Sequence, residues 1–173
     1  EPFSGLVTQG MICHETYRNA DGQWLFPDEV VNKGGDKFIS QLDGQNVIRG
    51  RSEKMSKSKK NVVDPEIIIS DYGADTARLF MLSDSPPDRD LDWTESGVEG
   101  AWKYINKLWR MIDAPKNNLL HEMIEEPKKL NIEMLEIKQK IHQTIQLVGS
   151  DIEKFHFNKA IARVRELTNT LDS

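Results

Sequence analysis

Lys54-Met55-Ser56-Lys57-Ser58-Lys59-Lys60-Asn61-Val62-Val63-Asp64-Pro65 is the stretch at which the pattern of this 173-residue chain changes. Upstream, short apolar runs alternate with turn residues, the mark of strands. Downstream, apolar residues recur at three and four, the mark of helices. Asp64-Pro65 begins the change, as an Asp N-cap followed by Pro at the first helical position, where its missing N–H is harmless. The expected class is therefore α+β: a small antiparallel β insert and a strand leading to the lysine loop, followed by an α-helical bundle.

Upstream of the loop, Leu6-Val7-Thr8-Gln9-Gly10-Met11-Ile12 reads as a buried strand. Asn19-Ala20-Asp21-Gly22 signals a turn before Trp24-Leu25-Phe26 and Pro27. Asp43-Gly44 joins 37–42 to 45–49 and predicts a hairpin. Gly34-Gly35 marks a flexible point inside the insert.

Downstream, the first helix should end at Gly73 and a second should cover Asp75 to Ser83, with Ala77, Phe80 and Met81 on one face and Pro86-Pro87 as the stop. Thr94 is the expected N-cap of a third, with Gly97 as its weak spot. Val98, Trp102, Ile105, Trp109 and Ile112 form its stripe, and Pro115-Lys116-Asn117-Asn118 should break it. Ile137, Ile141, Ile145, Val148, Ile152 and Phe155 predict one long helix running through Gly149, at a local cost of about 1 kcal/mol. Asn158 is the expected cap of a last helix burying Ile161, Val164 or the Arg165 stem, and Leu167. These stripes read as core packing between helices.

Composition narrows the function. Charged residues at 29%, hydrophobic residues at 38% and a net charge of −5 describe a globular chain, and argue against a whole surface built for non-specific nucleic-acid binding. A local basic patch remains: Arg49, Arg51, Lys54, Lys57, Lys59 and Lys60, interrupted by Glu53. Cys13 is alone, which excludes an intrachain disulfide and fits a reducing compartment. His14, His121, His142 and His156 match no common zinc spacing. No apolar run reaches the length of a membrane span. The start, Glu1-Pro2-Phe3-Ser4-Gly5, lacks an initiator Met and a secretory pattern, and reads as a cut inside a longer chain.

Lys54 to Ser58 has the composition of a phosphate-binding loop: two compact cations on flexible stems, with serine hydroxyls between them. On charge alone, a solvated surface or a localisation signal is the stronger reading. Context reverses the odds. Lys-Met-Ser-Lys-Ser followed by Asn61 and Asp64-Pro65 resembles the signature of class I aminoacyl-tRNA synthetases. Tyr72-Gly73-Ala74-Asp75-Thr76-Ala77-Arg78 resembles the stretch that follows it in that group. Glu1-Pro2-Phe3 with Leu6 to Met11, Asp92 to Gly100 and Phe157 to Ala162 are similar to the bacterial-type leucyl-tRNA synthetase family. Many members of the wider group carry Gly where this chain has Lys60.

The resemblance implies a division of the chain. Residues 1–13 would end the catalytic nucleotide-binding fold, 14–50 would be a leucine-specific-type β insert, 51–93 the lysine loop and following helices, and 94–173 the start of a helical anticodon-binding domain, stopping part way. It implies activation of leucine with ATP, accompanied by Mg²⁺, and transfer to tRNA(Leu), by a cytoplasmic monomer. Lys57 would stabilise the leaving phosphates, with Lys54 in support. Met55 would lie near the adenine through its backbone, and Ser56 and Ser58 would shape the loop. No residue is implied as a metal ligand. Arg163 and Arg165 would be tRNA backbone contacts or, equally, exposed helix charges. A His-Ile-Gly-His run is absent from the chain, so the chain alone should be inactive. Two other readings stay open: a valyl, isoleucyl or methionyl enzyme, or a non-enzymatic module whose basic loop binds nucleic acid or a transport receptor.

Overall fold

A computed structural model describes residues 2–113 and 130–172. It divides into two compact units, one comprising the residues up to Ala74 with Asp88–Gly97, the other Asp75–Pro87 with the residues from Val98 on.

The first unit is built on a curled sheet. Strands β1 (Ile12–Arg18), β2 (Trp24–Leu25), β3 (Val30–Asn32), β4 (Phe38–Ser40) and β5 (Asn46–Lys54) lie in the order β2-β1-β5-β4-β3, all antiparallel. Strand β6 (Leu91–Asp92) joins β1 in parallel at Ile12 and Cys13. The predicted turns fall where expected. Gly22, with φ 82°, closes β1 onto β2, and Gly44, with φ 70°, closes β4 onto β5. Both conformations favour a residue without Cβ. Tyr17, Leu25, Phe38 and Val47 form the core, with Val30 packed against it. The β1–β5 register shifts between Glu15 and Tyr17, beside this core.

The strand expected over Leu6–Ile12 is not formed. Only Ile12 lies in β1, and Leu6 is 88% exposed. The segment is held through backbone groups instead: Leu91 N–H donates to the Met11 carbonyl at 2.9 Å, and Met11 N–H donates to Asp90 Oδ1 at 2.8 Å. Two neighbours in the ladder begin only at Ile12, so the apolar run before it has no sheet to enter.

Helix α1 (Pro65–Tyr72) starts as its sequence dictates, with Asp64 Oδ1 accepting from Glu66 N–H at 2.9 Å, and ends at Gly73, whose N–H donates to the Ile69 carbonyl at 3.0 Å.

In the second unit, α2 (Ala74–Ser83) buries Thr76 and Phe80, with Ala77 and Met81 half-buried beside them. Helix α3 (Glu95–Asp113) is capped by Thr94 Oγ1, which accepts from Gly97 N–H at 3.2 Å. Its inner face differs from the expected stripe. Val98 and Ala101 are buried, whereas Trp109 is 69% and Ile112 64% exposed. Small Ala101 permits close packing, and Tyr104 carries the contact onward: its hydroxyl lies 3.0 Å from Thr168 Oγ1. The expected break at Pro115–Asn118 falls outside the described residues.

Helix α4 (Ile132–Glu153) runs unbroken through Gly149, as predicted, and packs along α5 (Phe157–Asp172). Its inner face takes Ile137, Ile141 and Val148, but also Thr144 and Asp151 in place of Ile145 and Ile152, which are exposed. Counting apolar residues missed these two because each polar group finds a partner. Thr144 Oγ1 donates to the Lys140 carbonyl at 2.8 Å, and Asp151 accepts from Arg163 Nε. The turn between the helices uses Phe155 at φ 58°, with His156 N–H donating to the Asp151 carbonyl at 2.8 Å. Asn158 is not the cap expected of it; it lies within the first turn of α5.

Candidate functional site

The lysine loop leaves the end of β5 and returns at α1, so both of its ends are anchored in the first unit. Met55 N–H donates to the Ile12 carbonyl at 3.0 Å, extending the β1–β5 ladder by one residue. Lys57–Lys59 then form one 3₁₀ turn, in which Lys60 N–H donates back to the Lys57 carbonyl at 3.3 Å. The Ser56 and Ser58 hydroxyls bond to each other at 2.8 Å across the turn.

Beneath the loop sits Asn61, fully buried. Its Nδ2 lies 3.1 Å from the His14 carbonyl, 2.9 Å from that of Glu53 and 3.3 Å from that of Lys54. Its Oδ1 accepts from Ser56 N–H at 2.9 Å. One carboxamide therefore joins β1, the end of β5 and the start of the loop. A buried amide left unpaired costs about 1–3 kcal/mol, so a fully satisfied one fixes its surroundings.

The six cations of the basic patch separate into two groups. Arg49 pairs with Glu15 at 3.2 Å and Asp36 at 2.8 Å, and Arg51 with Glu53 at 3.0 Å. Lys59 pairs with the second oxygen of Glu53. Lys60 Nζ lies 3.9 Å from Glu29 and 4.9 Å from the Phe26 ring centroid. Glu29 is itself fixed, accepting from Phe26 N–H at 2.7 Å. Hydrogen bonds from Lys59, then Arg51, hold the Glu53 carboxyl below the usual carboxylate range. Lys54 and Lys57 are exposed and have no carboxylate partner among the described residues. They are the loop's two uncommitted charges.

The other expected residues sort clearly. Met55 and Ser56 are half-buried with their N–H groups already used, and Ser58 is exposed. Arg163 is committed to Asp151, and the Arg165 guanidinium lies 4.7 Å from the Tyr104 ring centroid, so neither is a free surface cation. Burial, then Asp90 and Asp92, pushes the Cys13 thiol up, away from a reactive thiolate. The described residues include no group of three His, Cys, Asp or Glu placed to hold a metal ion, and no helix long and apolar enough to cross a membrane. The pairings of Lys59 with Glu53 and of Lys60 with Glu29 and Phe26 were invisible in sequence. Asn61 left a trace there, as a lone amide directly after the lysine run.

The family model for "tRNA synthetases class I (I, L, M and V)" matches residues 43–94, the stretch holding β5, the lysine loop, α1 and α2. Relatives extend the match over the whole chain. The leucine–tRNA ligase of Paramagnetospirillum magneticum is 60% identical over 99% of the chain, and that of Rhodospirillum rubrum 55% over 99%. Among solved structures, a ternary complex of Agrobacterium radiobacter K84 agnB2 LeuRS with tRNA and LeuAMS matches 99% of the chain with a TM-score of 0.69 and 26% identity.

The chain is thus a homologue of the class I tRNA synthetases. Over nearly its whole length it is homologous to leucine–tRNA ligases, and it spans about one fifth of the length of those relatives, 20% of the first two and 18% of the structural match.

Proposed function

We propose that this segment supplies the ATP-phosphate loop of a leucine–tRNA ligase, which joins leucine to ATP as leucyl-adenylate and then transfers leucine to tRNA(Leu). In the first step a leucine carboxylate oxygen bonds to the α-phosphorus. The bond from that phosphorus to the β-phosphate oxygen breaks, and pyrophosphate leaves with the electron pair. Negative charge grows on the leaving group in the transition state. A cation already placed there lowers the barrier more than one that binds the ground state equally.

The observation that carries the reading is the partition of the loop lysines. Lys57 stands on the turn and Lys54 at its base, both uncommitted, while Lys59 and Lys60 are spent on Glu53 and Glu29. Lys57 takes the leaving phosphates and Lys54 supports them. Ser56 and Ser58 shape the turn. The Met55 amide is occupied by Ile12, so any contact from Met55 to the adenine falls to its carbonyl or side chain. Mg²⁺ enters with the nucleotide as part of the substrate, and no step runs through a metal held by the described residues. Residues 14–50 form the leucine-specific-type insert, and the helices from Thr94 onward begin a tRNA-facing bundle. The whole ligase works in the cytoplasm as a monomer. The chain by itself does not activate leucine.

Pyrophosphate exchange by the complete ligase tests this. Lys57→Ala should slow leucine-dependent exchange by about 100- to 1,000-fold with little change in leucine binding. An unchanged exchange rate contradicts the assignment.

A further inference from the structure

From the exit of the lysine loop, the Asn61 carboxamide reaches back to the loop's start at Glu53, Lys54 and Ser56 and across to the neighbouring strand at His14. Three carbonyl oxygens face its Nδ2, and one amide N–H faces its Oδ1. That arrangement accepts an amide in one orientation only. A carboxylate of the same shape would set a negative oxygen against three carbonyls.

The consequence for the loop is geometric. Ser56 N–H is held by Asn61, and Met55 N–H by Ile12. The chain between Lys54 and Lys57 therefore leaves the sheet along a fixed path, although both lysine side chains are exposed. Flexible ammonium groups gain most when the backbone beneath them is already placed.

We infer that Asn61 is the positioning residue of the ATP-phosphate loop, acting through the backbone at Lys54 and Ser56 to place Lys57 for the transition state. Asn61 reaches no phosphate itself, being fully buried. The inference rests on the reading of the loop as an ATP-phosphate loop, and its test separates the two.

The test is a double-mutant cycle in the complete ligase, read by pyrophosphate exchange. Asn61→Asp should lower the exchange kcat by about 10- to 100-fold, with KM for leucine unchanged. In a Lys57→Ala background the same change should cost less than about threefold, because the group that Asn61 places is already gone. An equal loss in both backgrounds, or no loss in the first, overturns the positioning role. A silent Lys57→Ala brings down the underlying reading as well. Should the Asn61→Asp ligase fail to fold, hydrogen exchange on the unaltered ligase decides: the Ser56 amide should be protected like the β1–β5 ladder, and exchange as rapid as that of an exposed loop amide overturns the inference.

Discussion

Lys60 holds a left-handed backbone, φ 54°, while its ammonium reaches the Phe26 ring and the Glu29 carboxylate. The conformation explains why glycine suits this position, since it has no Cβ to clash. Glycine also loses more freedom on folding and would forfeit the two contacts. These effects oppose one another. Lys60→Gly should shift stability by less than about 1 kcal/mol, whereas Lys60→Val, β-branched in a left-handed site, should destabilise by about 1–3 kcal/mol. Urea unfolding of the two variants checks the contrast, and equal midpoints would refute it.

Gly10 carries a different constraint. A Cβ there would sit 2.0 Å from the Arg89 carbonyl oxygen and 2.6 Å from the Asp90 nitrogen, both backbone atoms. Neither can yield as a side-chain tip would. Gly10→Ala should destabilise by about 1–3 kcal/mol and loosen the Met11–Leu91 pairing. Amide exchange at Leu91, whose N–H donates to Met11, reports this directly.

Acid should weaken both units through identified carboxylates. The hydrogen bond from Arg163 holds Asp151 below its ordinary value, and that from Lys59 does the same for Glu53. A carboxyl whose folded-state pKa is depressed binds its proton more readily when unfolded. Its stabilisation is therefore full above the unfolded value and is lost as pH falls through the folded one, below roughly pH 4. The unfolding midpoint should fall from pH 5 to pH 3, and Asp151→Asn should flatten part of that slope. A variant with the same slope as the parent would show that Asp151 contributes nothing.

Local chemistry made much of the fold legible. Gly22 and Gly44 act through their own backbones, and Asp64 and Thr94 cap an N–H two or three residues along, so spacing alone locates them. Leu6–Met11 misled because an apolar run reports only a preference for burial, and its partners lay some eighty residues away, as Met11 and Asp90 do. In α4 the period was right but the face was rotated, because Thr144 and Asp151 are buried with partners that no hydropathy pattern records. The candidate site shows the same limit. Its lysines could be counted in sequence, but which of them are neutralised depends on Glu29 and Glu53 arriving from separate strands and turns. Asn61 was visible as a letter, and its four hydrogen bonds only as geometry.

On the proposed function, the loop's free lysines, and not its basic character, do the chemistry. An alanine scan of Lys54, Lys57, Lys59 and Lys60 in the complete ligase, read by leucine-dependent pyrophosphate exchange, tests it most directly. The expected result is a loss of about 100- to 1,000-fold at Lys57, a smaller but clear loss at Lys54, and less than about tenfold at Lys59 and Lys60. Equal losses at all four, or an undiminished rate for Lys57→Ala, would contradict it.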